Sequence, residues 1–347
     1  MSDIPSDKLR HAAASMSTSA RPRAVAIWLF VMAALVFAMV LLGGATRLTE
    51  SGLSMVDWRP LMGVLPPLNQ AEWLAVFQDY KAYPEYQQIN EGMSLEAFKR
   101  IFWFEYAHRV LGRAIGLAFA LPLLVFLLRR QVPAGYGLRL AGLFLLGGLQ
   151  GLVGWWMVKS GLVNEPDVSH YRLATHLGLA VAIFAALLWT ALDLAAGRAR
   201  IATGLGLWLL VALFAQILLG ALVAGLNAGL VYNSFPTMNG YWIPPELGFQ
   251  SPLWRDLVEN PVSVQFLHRL GAVLVAVLAL AWAWRERAGG WRALLLALGV
   301  AGQFLLGVVT LLQQVPLGLG LAHQGGALLL LAIAVLLMHH RGRATPN

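Results

Sequence analysis

Eight long runs of apolar residues constrain this chain more than any motif in it. They lie at about 24–46, 105–128, 140–158, 171–192, 204–225, 265–284, 292–313 and 319–338, each near the ~20 residues that a helix needs to cross a bilayer. Of the 347 residues, 59% are hydrophobic and only 12% charged, too little polar material to cover a water-soluble exterior. The expected fold class is therefore an all-α integral membrane protein with eight transmembrane helices. Pro122 falls inside the second run and is expected to kink it, which membrane helices tolerate.

Arginine placement gives the direction. Arg129, Arg130 and Arg139, then Arg198 and Arg200, then Arg285, Arg287 and Arg292 occupy short connectors on one side of an eight-span topology. Lys8, Arg10, Arg21 and Arg23 of a tail at 1–23, and Arg341 and Arg343 of a tail at 339–347, fall on the same side. By the positive-inside rule that side is cytoplasmic, with both termini inside. The polar first tail, with Asp3 and Asp7, reads as neither a signal nor a transit peptide. The net charge of +8 sits on these inner segments, so membrane lipid is the expected partner and nucleic acid is not. There is no cysteine, which excludes disulfide scaffolds, thiol catalysis, iron–sulfur clusters and c-type heme attachment. Metal chemistry must then rest on His, carboxylates or Met.

An internal repeat divides the chain. Leu42-Gly43 through Gly52-Leu53 aligns with Leu219-Gly220 through Gly229-Leu230, His108-Arg109 with His268-Arg269, Gln150 to Gly154 with Gln303 to Gly307, and His176 with His323. The expected architecture is two parallel-repeat four-helix bundles, an N-terminal half at 24–192 with an outer loop at 47–104 and a C-terminal half at 204–338. In that loop, amphipathic pieces around Gln70–Tyr80 and Ser94–Phe104 carry Trp73, Phe77, Phe98 and Trp103, and are expected to lie at the interface as anchors or as a roof.

Each of the four repeat histidines falls a few residues into an even-numbered span, at similar depth near the outer face. A lone intramembrane His can be an ordinary interhelical hydrogen bond, but four at matched depth point to function. Two imidazoles per bundle suit the axial pair of a heme, whereas zinc or copper would want three or four clustered ligands. Gly112, Gly116, Gly178, Gly271, Gly325 and Gly326 are expected to make room for a flat macrocycle. Arg109 and Arg269 are placed to pair propionates or to anchor the helix at the interface. The symmetry fails at Glu105 against Gln265, Tyr106 against Phe266 and Arg113 against Val273. Proton-coupled chemistry is therefore expected in the first half, with Glu105 either its base or a partner of Arg109 or Arg113, and a plain redox centre in the second. His170 reads as interfacial; His11, His339 and His340 receive no role.

The run from Gly52 to Trp58, Pro84-Glu85-Tyr86, Phe104 to Arg109, His176, His268 to Gly271 and His323 to Gly325 resembles the heme A synthase family of alphaproteobacterial and mitochondrial type. The resemblance covers nearly the whole chain after about residue 24. It lacks the cysteine pair that Bacillus-type members carry in the first outer loop. The resemblance implies a bacterial inner-membrane oxidoreductase that oxidises the C8 methyl of heme O to a formyl group, giving heme A for cytochrome oxidase. It implies a heme b cofactor on His268 and His323 with Arg269 beside it. The substrate iron would lie between His108 and His176, with Arg109 and Arg113 at the substrate and Glu105 handling protons. A heme O synthase and cytochrome oxidase assembly factors are the implied partners. Two other readings of the histidines are a di-heme b-type electron-transfer subunit and a parallel-repeat transporter with histidine proton relays.

Overall fold

The computed structural model describes residues 20–56, 65–162, 166–201 and 203–344. Most of the first tail, with Lys8, Arg10 and His11, and the motif residues Asp57 and Trp58 lie outside the described residues. The elements are α1 (Pro22–Leu48), α2 (Gln70–Lys81), α3 (Pro84–Gln88), α4 (Leu95–Leu128), α5 (Gly137–Ser160), α6 (His170–Ala196), α7 (Leu205–Gly225), α8 (Leu253–Glu259), α9 (Pro261–Arg285), α10 (Trp291–Leu312) and α11 (Leu317–Ala344). All but α2, α3 and α8 are long and apolar enough to cross a membrane, so the chain is a multi-pass membrane protein. Helix is the open-chain solution in hydrocarbon, because each backbone N–H and C=O must find its partner within the segment.

Contacts among these helices follow one pattern in both halves. In the first, α1 packs on α4 and α6, and α5 packs on α4 and α6; in the second, α7 packs on α9 and α11, and α10 packs on α9 and α11. The seam between halves consists of α1, α6, α7 and α11. Its apolar fill includes the fully buried Leu29, Met32, Leu187, Leu209, Leu328 and Met338.

Two expectations about boundaries are corrected. The piece at Ser94–Phe104 is no separate interfacial helix but the start of α4, which begins about ten residues before the apolar run. Ser94 caps it by accepting from the Ala97 N–H at 3.2 Å. Its first turns bury Phe98 and Phe102 against Trp73, Phe77 and Tyr80 of α2, while Trp103 stays 45% exposed. The change of pattern near residue 105 thus marks a change of surroundings, not of backbone. Pro122 likewise sits within α4 without ending it.

At the far end, α11 runs through the expected tail to Ala344 and buries His339, whose Nε2 lies 3.0 Å from Asp193 Oδ1. Asp193 also accepts from Arg139 and from the Ala199 N–H. Its three partners come from α11, α5 and the α6–α7 connector.

Candidate functional site

The site grows from a glycine opposite each repeat histidine. His108 on α4 faces Gly43 on α1, and His176 on α6 faces Gly154 on α5. His268 on α9 faces Gly220 on α7, and His323 on α11 faces Gly307 on α10. A Cβ on Gly307 would stand 2.7 Å from Cε1 of His323, and one on Gly154 would stand 2.8 Å from Cε1 of His176. At Gly154 and Gly307 the ring positions depend on the missing side chain, whereas at Gly43 and Gly220, with 3.2 and 3.3 Å, a Cβ would be a tight fit. The glycines expected to admit a macrocycle are mostly filled otherwise. Gly178 receives Leu218 and Gly325 receives Leu41 across the seam, Gly112 receives Met39, and Gly271 and Gly326 receive glutamine oxygens.

Those glutamines were the residues hardest to find in the sequence. Nε2 of Gln216 donates to the main-chain oxygen of His268 at 2.8 Å and lies 3.0 Å from its Nδ1. Gln303 holds His323 in the same way, at 2.8 and 3.1 Å, and Gln150 holds His176 at 3.0 and 3.1 Å. Sequence reading used Gln150 and Gln303 only as repeat anchors and passed over Gln216. Their signal was an amide inside an apolar span, which is costly unless it is partnered.

His268 and His323 face each other with ring centroids 6.4 Å apart and planes at 82°. Two metal–imidazole bonds of about 2 Å, plus about 1 Å from each nitrogen to its ring centre, span about 6 Å, so the pair fits one iron between them. Near it the Nε of Arg269 is buried without a partner, a donor suited to a carboxylate such as a propionate. Among the described residues no group of three or more His, Cys, Asp or Glu stands together, so the donor set does not fit a clustered zinc or copper site. His108 and His176 form the matching pair in the first half and interact electrostatically. A cavity of about 180 Å³ lies beside this pair's helix mouth, lined by Val56, Arg109, Trp155, Val158, Lys159 and Leu162.

Glu105 and Gln265 turn out to be clasps between a helix and its loop. The Glu105 carboxylate, on a residue 3% exposed, accepts from Ser54 Oγ at 2.8 Å, from the Met55 N–H at 2.7 Å and from Arg109. Arg109 donates onward to the Met55 carbonyl at 2.6 Å. Gln265 instead donates to the carbonyls of Ala228 and Tyr232, and Arg269 donates to Gln265 and to the carbonyls of Tyr232 and Ser234. Each loop is thus matched to its own residue, donors facing the carboxylate and carbonyls facing the amide. Arg113, one turn further along α4, is half-buried and already engaged in a contact. His170 opens α6, on the helix that carries His176, with its ring 4.1 Å from that of Tyr171.

The two loops differ in their acids. Glu85 on α3 is buried and accepts from the Tyr80 hydroxyl at 2.9 Å; burial, with the charges of Glu105 and Glu50 behind it, pushes its carboxyl up to about 8. Asp256 on α8 is also buried, which by itself would raise its carboxyl, but Asn260, Ser263 and the Gln250 and Gly248 N–H groups hold it at about 2.

The family described as cytochrome oxidase assembly protein matches residues 26–335. A heme A synthase of Nitrosospira multiformis is 50% identical over 92% of this chain and 94% of its own length. Those of Parvibaculum lavamentivorans and Mesorhizobium japonicum are 48% and 52% identical, over 93% and 91% of this chain and 95% and 89% of theirs. Histidine pairs carried on eight membrane helices, together with identities near one half along almost the whole length, place this chain in the heme A synthase family.

Proposed function

We propose that the protein is an oxidoreductase that converts the C8 methyl of heme O into the formyl group of heme A, for use by cytochrome oxidase. The single observation that carries the reading is the pairing of His268 with His323 at 6.4 Å; the matching histidines of the first half, His108 and His176, sit in an unlike electrostatic frame. The C-terminal half is the cofactor half, with heme b on His268 and His323 and Arg269 facing a propionate. The N-terminal half is the substrate half, with heme O between His108 and His176 and its propionates toward Arg109 and Arg113. The basic connectors set the long loops on the outer face of a bacterial inner membrane, with both termini inside.

With water as oxygen donor, oxidising the methyl to the aldehyde takes up one water and releases four electrons and four protons, in two stages through the alcohol. His268 and His323 would hold heme b, which when bound would supply a one-electron acceptor for these electrons, with a further acceptor beyond it. Glu105 takes protons at the reacting carbon; Arg109 sits on the same carboxylate and Ser54 and Met55 hold it in place. The aromatic cluster of α2 and α4 covers the mouth and keeps bulk water from the reacting carbon. A heme O synthase is the donor, and assembly factors of cytochrome oxidase collect the product.

The test is to co-express the chain with a heme O-producing enzyme, then extract and chromatograph the hemes. Heme A or its alcohol precursor is the expected result. Heme B and unaltered heme O alone would favour a di-heme electron carrier, and an absorption spectrum without heme bands would end both readings.

A further inference from the structure

We infer that His108 is the exchangeable ligand of the N-terminal site, and that Gln150, Gln216 and Gln303 are positioning residues that fix the other three. The inference rests on the heme reading above. Three of the four histidines have a carboxamide on Nδ1 and on their own main-chain oxygen. In the alignment that pairs Gly43 with Gly220, the residue matching Gln216 is Met39. A thioether cannot donate a hydrogen bond and is a weak acceptor, so it cannot brace an imidazole. A carboxamide can serve either ring tautomer, donating to Nδ1 or turning its oxygen to accept from Nδ1–H.

Ring orientation is an independent observation. Against their glycines His176, His268 and His323 all present Cε1, whereas His108 presents Nε2, 3.2 Å from a Cβ placed on Gly43, with Cδ2 next at 3.6 Å. The one unbraced ring is the one turned differently. In it the usual ligating nitrogen, rather than Cε1, is the ring atom nearest the place of a Cβ on Gly43.

A cofactor site gains from two fixed ligands. A site that must load heme O and release its product needs one ligand that stays and one that lets go. His176, braced by Gln150, is the first, and His108 is the second. Partners of ligating histidines are typically worth 10–100-fold in affinity, which sets the size of the expected effect.

The experiment loads the detergent-solubilised full chain with ferric heme B and follows heme transfer to excess apomyoglobin. Wild type should show a fast and a slow phase, the fast one absent from His176→Ala. Gln216→Met should convert the slow phase to one at least tenfold faster, and the reduced variant should newly bind CO at that site. Met39→Gln should slow the fast phase at least tenfold. Gln303→Met repeats the first arm if Gln216→Met is poorly produced. Heme phases that these substitutions leave unchanged overturn the inference while leaving the heme reading intact. Uptake of heme at neither site overturns both.

Discussion

In the C-terminal half both histidines are held between a glycine and a glutamine, and the loop above is bound by a clasp of the neutral Gln265 amide with the Arg269 guanidinium. In the N-terminal half His176 alone is held so, and the clasp is the charged pair Glu105–Arg109. The helices pack in the same order in both. What separates the halves is four or five side chains: the first half lacks one glutamine brace and gains one carboxylate. On the proposed reading, that is the difference between a half that keeps its heme and a half that turns it over.

The sharpest way to break the comparison is at the permanent site. His268→Ala or His323→Ala should abolish a low-spin b-type signal in reduced-minus-oxidised spectra, because the iron loses an axial ligand. Survival of the full signal in both variants would remove the cofactor assignment from this half. Next in size is Glu105→Gln, which should leave heme b in place but cut heme A yield by about 10²-fold or more, the usual range for losing a general base. Near-normal yield at matched expression would reduce Glu105 to a loop clasp. The substitution does not simply copy Gln265, because Ser54 and the Met55 N–H offer donors where an amide needs carbonyls.

Smaller effects sharpen the contrast. Gly307→Ala sets a Cβ 2.7 Å from a ring that Gln303 holds, so the heme b spectrum should shift toward high spin. Gly43→Ala sets one 3.2 Å from an unbraced ring, which can turn away, and heme A yield should fall only a few-fold. Equal losses from the two would show that bracing does not decide how each ring responds. The mildest prediction concerns the loops. Glu85, raised from 4.5 to about 8, binds more protons folded than unfolded across that interval, so the first loop should loosen as pH rises through it. Asp256, lowered from 3.8 to about 2, works in the opposite sense, and the second loop should loosen only as pH falls through that range. Hydrogen exchange of the two loops between pH 4.5 and 8 would check this, and Glu85→Gln should flatten the response of the first loop alone.

Much of this was legible from residue order. The eight spans fall within a few residues of their observed helices, apart from α4 and α11, and the paired histidines stand on the helices expected to carry them. Hydropathy located the bilayer boundary well and the start of α4 poorly, because a helix keeps its hydrogen bonds when it passes from loop into lipid. The glutamine braces were hidden because each joins residues 20 to 52 positions apart on different helices. His339 was set aside as part of a tail because its partner Asp193 lies 146 positions earlier. Opposite-charge pairing over such distances leaves no local pattern, whereas periodicity does.

The closing contacts of the seam also bear on the order in which the molecule is made. Asp193 emerges at the end of α6, and the His339 that completes its buried partner set follows 146 positions later. Gln324 on α11 likewise donates to the Val40 carbonyl on α1 at 3.0 Å, joining two helices far apart in the chain. A ribosome-bound intermediate that has inserted α1 to α6 therefore still carries an aspartate without its imidazole and a carbonyl on α1 without this donor. Insertion of α11 supplies both, so the earlier helices wait for it before their interior is finished.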